Sequence, residues 1–138
     1  MVAAVTGLVR AENVVVTALN ENFKRHGITP AGFNVLMILD GSDVPLCPNE
    51  IGERRLVTRG TVTGVLDSLE QRGLVARRPH PADRRSLLIE LTAKGRRLLH
   101  DLLPDHREAE RRALGGLSDR EVATLAKLLA KVGPARSE

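Results

Sequence analysis

The stretch from Gly73 to Gly95 reads GLVARRPHPADRRSLLIELTAKG, two short apolar runs separated by a polar turn. The runs predict β-strands over about 75–79 and 86–91, because short apolar segments bounded by proline and charged residues are typical of a hairpin. Four arginines lie on the first strand or at the tip: Arg77, Arg78, Arg84 and Arg85. The sequence therefore predicts an arginine-rich hairpin that projects from the body of the protein.

Four helices are predicted before the hairpin. Apolar residues recur three and four apart in each, and glycine at positions 27, 41 and 73 ends three of them. Thr29 and Pro30 open the second helix with a hydroxyl cap and a proline in the first turn. The core face of that helix is predicted to include Phe33 and Met37. The predicted spans are 3–26, 29–41, 47–56 and 59–72.

Two more helices are predicted after the hairpin. Thr92 opens the first, and Pro104 within it removes a backbone hydrogen bond, which predicts a kink or a break. Ser118 and Glu121 form a capping box that opens the last helix. The element order predicts a mainly α fold with a small β-hairpin wing: a single domain over residues 1–138, with a winged helix-turn-helix at about 29–91. Helical arms lie outside that module, at about 3–26 and 92–132.

Basic residues are concentrated in the middle of the chain. The 138 residues include 21 Lys or Arg and 17 Asp or Glu, for a net charge of +4. Between Arg54 and Arg97 there are eleven basic and four acidic residues, so this stretch carries +7. Such a localised charge predicts a polyanionic partner. The chain has two Phe and neither Tyr nor Trp, which argues against stacking on single-stranded nucleic acid.

The fourth helix has a predicted apolar side and a small polar side. Val62, Val65, Leu66 and Leu69 fall together and predict the buried face. The polar side suits a helix inserted into a major groove, with its N–H groups near phosphate. A solvated face of an ordinary amphipathic helix is the alternative. The candidate DNA-binding residues of this helix are Arg59, Gly60, Thr61, Thr63, Gly64, Asp67 and Ser68.

The wing carries residues that suit a minor groove. Arginine at a protruding tip is attracted by the negative potential of a narrow groove, and this is expected of Arg84 and Arg85, with the two strand arginines leading in. Asp83 can hold a guanidinium through a charge-assisted hydrogen bond. His80 is a candidate contact to phosphate or solvent. A solvated charge run explains the composition, but not why the arginines lie on a proline-stiffened hairpin.

The stretch from Gly60 to Leu99 resembles the signature of the MarR family, the multiple antibiotic resistance regulators. Its most specific part is Asp83-Arg84-Arg85, followed by an apolar strand and Leu91-Thr92-Ala93-Lys94-Gly95. The long first helix and the Leu117-Ser118-Asp119 segment fit the same pattern. The resemblance covers nearly the whole chain.

The resemblance implies a homodimeric transcriptional repressor that binds double-stranded DNA in a sequence-specific way. In the family, the first and last helices of two chains interlock, and each winged module reads one half-site of a pseudo-palindromic operator. Matched by motif, Asp83 is the orienting carboxylate, and Arg85, with Arg84, enters the minor groove. Two-fold symmetry places half-sites about 34–36 Å apart.

The chain departs from the family pattern on the fourth helix. Family members often have arginine or another long polar residue where this chain has Gly64 and Ser68. Short residues cannot make bidentate contacts to base edges. Base reading is therefore expected either from Arg59, Thr61 and Thr63, or from the wing and DNA shape.

Two residues are candidates for regulation. MarR-like regulators are commonly released from DNA by small phenolic or carboxylate ligands, although few aromatic rings are available here to line a pocket. Arg10, on the apolar first helix, is a candidate partner for a small anionic or aromatic ligand, with an intersubunit salt bridge as the alternative. Cys47, at the cap of the third helix, is a candidate redox sensor, with an inert buried thiol as the alternative.

Other functional classes are less well supported. His100 and His106 suggest zinc, but a straight helix places them on different faces, so no metal or other cofactor is predicted. The sequence contains no nucleophile motif or phosphate-binding loop, which argues against an enzyme. No signal peptide or membrane span is predicted, and the expected location is cytoplasmic. The alternatives are a winged-helix protein-interaction module, or a redox- or zinc-responsive regulator of the same fold.

Overall fold

The structure is a computed structural model that describes residues 1–54 and 59–132, and only the backbone of residues 59–61. Six helices and one antiparallel hairpin follow in the predicted order. Their bounds are α1 Val2–Arg25, α2 Pro30–Asp40, α3 Pro48–Glu53, α4 Arg59–Gln71, β1 Val75–Pro79, β2 Leu87–Leu91, α5 Ala93–Ala113 and α6 Asp119–Leu129.

The core lies inside the winged module and reaches into α5. Helices α2, α3 and α4 pack around it, and the hairpin closes one side. Its largest fully buried apolar residues are aliphatic, which agrees with the composition: Leu36, Ile51, Leu66, Leu74, Ile89, Leu99 and Leu102. Helix α2 is buried around most of its circumference, and Met37, predicted to face the core, is instead exposed.

The hairpin is held by more than its own two strands. Val75 pairs with Leu91 at the base and Pro79 pairs with Leu87 near the tip. Leu46, in the connection between α2 and α3, forms a β-bridge with Ile89, with N–H to carbonyl distances of 3.0 and 2.7 Å. This bridge, which the sequence analysis did not predict, ties the start of α3 to the middle of β2.

Glycine ends two helices by the predicted mechanism. Gly27 after α1 and Gly73 after α4 have φ angles of +64° and +71°, which side chains other than glycine rarely adopt. Directly after Gly73, the Leu74 N–H donates to the Leu69 carbonyl at 2.9 Å. The chain can therefore leave α4 and enter β1 directly, which fixes the hairpin beside this helix.

The Leu-Thr-x-x-Gly segment joins the wing to α5. The Thr92 hydroxyl accepts the Gly95 N–H at 3.0 Å and lies 2.7 Å from the Gly73 carbonyl, to which it donates. A Cβ atom at Gly95 would lie 2.1 Å from the Leu74 carbonyl oxygen. Only glycine therefore allows the first turn of α5 to pack against the start of β1.

The predicted break at Pro104 does not occur, and one predicted helix end is wrong. Helix α5 continues through Pro104 from Ala93 to Ala113 without a break, because buried residues on both sides of the proline, Leu102 and His106, hold it in place. Helix α3 ends at Glu53 rather than near Leu56, a residue that lies outside the described part of the chain. The capping box of α6 forms as predicted, with the Ser118 N–H donating to Glu121 at 2.8 Å.

The apolar faces of α1 and α6 are largely exposed. In α1 only Asn22 and Phe23 are buried, and α6 buries no residue. The exposed apolar residues of the two helices include Val5, Val9, Val16, Leu128 and Leu129. By length and composition alone, α1 is also apolar enough to cross a bilayer, with a mean hydropathy of 1.5.

Candidate nucleic-acid interface

Helix α4 presents a small polar surface to solvent. Val62, Leu66 and Leu69 are buried, as predicted, and they leave Thr63, Gly64, Asp67 and Ser68 exposed on the opposite side. The predictions for Arg59, Gly60 and Thr61 concern side chains that lie outside the described residues. The described polar face is therefore short in side chains and has one carboxylate.

The small residues of α4 border a cleft. Gly64 and Ser68 line a space of about 370 Å3 together with Thr29, Gly32 and Arg72. Among the described residues, no atom would lie within 4 Å of a Cβ at Gly64. Because Gly64 and Ser68 carry no long side chain, the groove between α4 and the start of α2 is open, and the backbone of a nucleic acid could approach both helices.

The turn at the wing tip is shaped by His80 and Asp83. The Nδ1 atom of His80 accepts the backbone N–H groups of Ala82 and Asp83, both at 3.1 Å. Asp83 Oδ1 accepts the backbone N–H of Arg85 at 2.9 Å. Asp83 Oδ1 is thus engaged by the main chain, and among the described residues the carboxylate forms no ion pair with an arginine, so its hold on a guanidinium stays a prediction. Asp83 orients the tip through the backbone, and His80 supports the same turn.

The two arginines of β1 are paired within the protein. Arg77 binds Asp67 at 2.5 Å and Glu70 at 2.6 Å, both on α4. The hydrogen bond to Asp67 and then the charge of Glu70 raise the pKa of Arg77, while burial opposes them. Arg78 binds Glu90 of β2 at 2.6 Å. The predicted lead-in arginines are therefore already engaged by carboxylates.

The tip arginines are free to meet a partner. Arg84 and Arg85 are both exposed, and within residues 1–54 and 59–132 neither forms an ion pair. They extend from the hairpin on the same module as the polar face of α4. The available positive charge of the wing is thus concentrated at its end.

Arg10 and Cys47 lie apart from one another. Arg10 is exposed in the first half of α1. Cys47 occupies the N-cap position of α3, as predicted, and its backbone N–H donates to Glu50 at 2.7 Å. This bond, followed by one with the Cys47 side chain, lowers the pKa of Glu50. The thiol is half-buried, so the redox assignment remains a prediction.

An aromatic cavity lies where α1, α2 and α5 meet. Phe23, Phe33 and His106 stack around it, with ring centroids 5.0 Å apart for the two phenylalanines and 4.6 Å apart for Phe33 and His106. The space measures about 260 Å3, and Asn20 and Asn34 also line it. Sequence reasoning missed this site. A signal was present, because both phenylalanines of the chain flank the Gly27 turn.

The two histidines of α5 lie on different faces of the helix. His100 is exposed while His106 is buried, so they lie on different faces, as the helical spacing predicts. Asp105 binds His26 at 3.2 Å, and His106 lies 3.3 Å from Glu110. Among the described residues, no group of three or more His, Cys, Asp or Glu could hold a metal ion.

The fold and this surface define a class of protein: a winged helix-turn-helix with a basic wing tip, flanked by helices with open apolar faces. A MarR family model matches residues 26–86. The HTH-type transcriptional regulator MhqR of Bacillus subtilis is 36% identical over 127 residues, which cover 91% of this chain and 86% of that relative. The chain belongs to the MarR family and is a DNA-binding transcriptional regulator.

Two solved structures show what similar proteins bind. A mutant of MarR from E. coli, complexed with operator DNA, has a TM-score of 0.83 and 30% identity; the match covers 92% of this chain and 91% of that one. BpsR of Bordetella bronchiseptica, whose DNA binding is regulated by 6-hydroxynicotinic acid, has a TM-score of 0.82 and 29% identity. In that case the match covers 94% of this chain and 97% of the other.

Proposed function

We propose that this protein is a cytoplasmic homodimeric repressor that binds a pseudo-palindromic operator in double-stranded DNA and is released by a small aromatic effector. The observation that carries the proposal is the pair of exposed arginines at the wing tip, which form no ion pair within the described residues and lie on the same module as the exposed polar face of α4. The similar E. coli regulator complexed with operator DNA supports it. Residues 1–138 act as one unit, with binding rather than catalysis as their role.

The dimer is supported by the open apolar faces of α1 and α6. Val5 and Val9 are exposed by 58% and 50% of their surface, which is a large apolar area for a protein to leave in water. A bilayer is a poorer partner for this surface, because Arg10 and Glu12 lie near the middle of the apolar segment, where charges are costly. A second copy would cover these faces and bring two wings onto one duplex.

Operator binding is tested by fluorescence anisotropy with the intergenic DNA beside the protein's own gene. Affinity should exceed that for random duplex and fall steeply as salt rises, because bound phosphates release counterions. Equal affinity for both duplexes at physiological salt would contradict sequence-specific regulation. It would favour the second candidate, a protein-interaction module. That candidate is supported by Gly64 and Ser68, which offer no long side chain for contacts to base edges.

The effector site is proposed to be the cavity at Phe23, Phe33 and His106. Its volume of about 260 Å3 suits a single ring, and no charged side chain among the described residues lines it. His106 Nδ1 is buried without a partner in the described part of the chain, so it offers a hydrogen bond to a ligand hydroxyl. Because Arg10 does not line this cavity, a neutral hydroxylated ring is favoured over an anion.

The effector proposal is tested with hydroxylated aromatics that differ only in whether they carry a carboxylate. The neutral members should weaken operator binding, and Phe33→Leu should reduce that effect while the ligand-free protein keeps its DNA affinity. Equal release by the anionic members, or an unchanged response in Phe33→Leu, would contradict the assignment.

A further inference from the structure

Arg77 forms a double contact between the wing and the recognition helix. Its Nη2 atom lies 2.5 Å from Asp67 Oδ1 and its Nη1 atom lies 2.6 Å from Glu70 Oε2. Both nitrogens at the end of the guanidinium are therefore occupied by α4. The side chain is only 24% exposed, whereas the Asp67 side chain is 52% exposed. The arginine is thus the covered partner and the carboxylates face outward.

The contact changes the charge of the face that we assign to DNA. Asp67 and Glu70 are two of the four acidic residues between Arg54 and Arg97. The other two are also engaged, since Glu90 binds Arg78 and Asp83 accepts the backbone N–H of Arg85. Every carboxylate of this basic stretch therefore has a partner inside the module. Without Arg77, two negative charges would stand uncompensated beside the phosphates of a bound duplex.

The contact also fixes the direction of the wing. Helix α4 ends at Gln71 and β1 begins at Val75, so only three residues connect them. The guanidinium spans this junction and holds the base of the hairpin against the exposed side of α4. The distance between the polar face of α4 and the tip arginines is therefore set by a side-chain contact as well as by the turn at Gly73.

We propose that Arg77 is a positioning residue of the DNA-binding surface. It neutralises Asp67 and Glu70 and fixes the wing against α4, and it does not itself contact DNA. Asp67, a candidate DNA-binding residue of α4, consequently does not read bases. This inference rests on the proposed function as a DNA-binding regulator.

The test compares variants by anisotropy on the operator. Arg77→Gln should weaken binding about tenfold, because a carboxylate left facing phosphate opposes association. Adding Asp67→Asn to this variant should restore affinity to within about threefold of wild type, since the more exposed of the two uncovered charges is removed. The control adds Glu53→Gln instead, which changes net charge equally at an exposed carboxylate of α3, and should restore little.

Salt dependence separates this role from a direct phosphate contact. If Arg77 bound a phosphate, its loss would lower the slope of log affinity against log salt by about 0.9. The inference expects the Asp67→Asn/Arg77→Gln protein to keep the wild-type slope. A lowered slope, or failure of Asp67→Asn to restore affinity, would overturn it, as would equal rescue by Glu53→Gln.

Asp67→Asn alone tests base reading. With operators altered one base pair at a time, the variant should show the same order of preference as wild type; a changed preference would overturn the inference. Binding of the wild-type protein to operator over random duplex tests the proposed function by itself. The ratio of each variant's operator affinity to that of the wild-type protein tests only the role of Arg77. Failure of the proposed function and failure of this inference are therefore distinguishable.

Discussion

At the scale of single residues, the wing divides its arginines between two tasks. Arg77 and Arg78 are satisfied by carboxylates of the same module, while Arg84 and Arg85 remain exposed at the tip. A charge that is already paired offers less to a new partner. The two tip residues are therefore where DNA affinity is expected to depend on individual side chains.

Arg85→Ala is expected to weaken operator binding by roughly tenfold to a hundredfold, the usual effect of losing one groove arginine. Anisotropy at fixed salt measures this. Arg120→Ala, in α6, removes the same charge outside the winged module and should leave affinity almost unchanged. Equal losses in the two variants would mean that overall charge, and not the wing tip, determines binding.

Gly95→Ala is expected to destabilise the protein by about 2–4 kcal/mol, because the new methyl group would overlap the Leu74 carbonyl. Gly64→Ala makes the same chemical change at a position where no atom of the described part of the chain lies within 4 Å of the new Cβ. It should stabilise α4 by about 0.5–1 kcal/mol, since alanine restricts the unfolded chain. Urea unfolding measures both, and similar effects in the two variants would contradict the close packing at Gly95.

At the scale of elements, local chemistry determines where most helices begin and end. Glu121 illustrates this at the start of α6, where it accepts the Ser118 hydroxyl at 2.7 Å and the Ser118 N–H at 2.8 Å. These hydrogen bonds, with that of the hydroxyl contributing most, lower the pKa of Glu121 below its ordinary value of 4.5. The last helix therefore begins with a cap that depends on an ionised carboxylate.

This cap is expected to weaken in acid. Because the folded-state pKa of Glu121 is lowered, its stabilising contribution is present above about pH 4.5 and is lost as the pH falls through the folded-state value. Glu121→Ala should therefore reduce stability at pH 7, with a smaller difference from wild type at pH 3.5. Urea unfolding at both pH values measures this, and a constant difference would contradict the role of the charge.

The sequence predicted what depends on neighbours along the chain. The glycine turns, the Thr29 and Thr92 caps and both strands follow from local backbone preferences, and all of them are found. The continuity of α5 through Pro104 was not predictable in this way, because it depends on burial against other helices. The pairing of Arg77 was missed for the same reason: its partners lie seven and ten residues away, on a different element.

At the scale of the whole molecule, we expect the exposed apolar faces of α1 and α6 to form the dimer interface. Val9→Asp is expected to dissociate the proposed dimer, because the new charge would have to be buried in an apolar interface. Val44→Asp is the matched control, since Val44 is 63% exposed on the winged module, away from both helices. Sedimentation velocity should give a monomer only for the first variant. If both variants remained dimers, the assignment of this surface would be contradicted.

Both strands of the hairpin are tied to the helices of the winged module. Ile89 of β2 forms a bridge with Leu46, before α3, and Arg77 of β1 binds α4. We expect a module braced in this way to move as one unit. An effector at the joint between the arms and the module would then alter the distance between the two modules of the dimer and leave the shape of each module unchanged. Release would follow from a mismatch between the spacing of the two modules and that of the two half-sites. An operator lengthened by one base pair, which adds about 3.4 Å and turns one half-site by about 36°, should therefore also bind weakly.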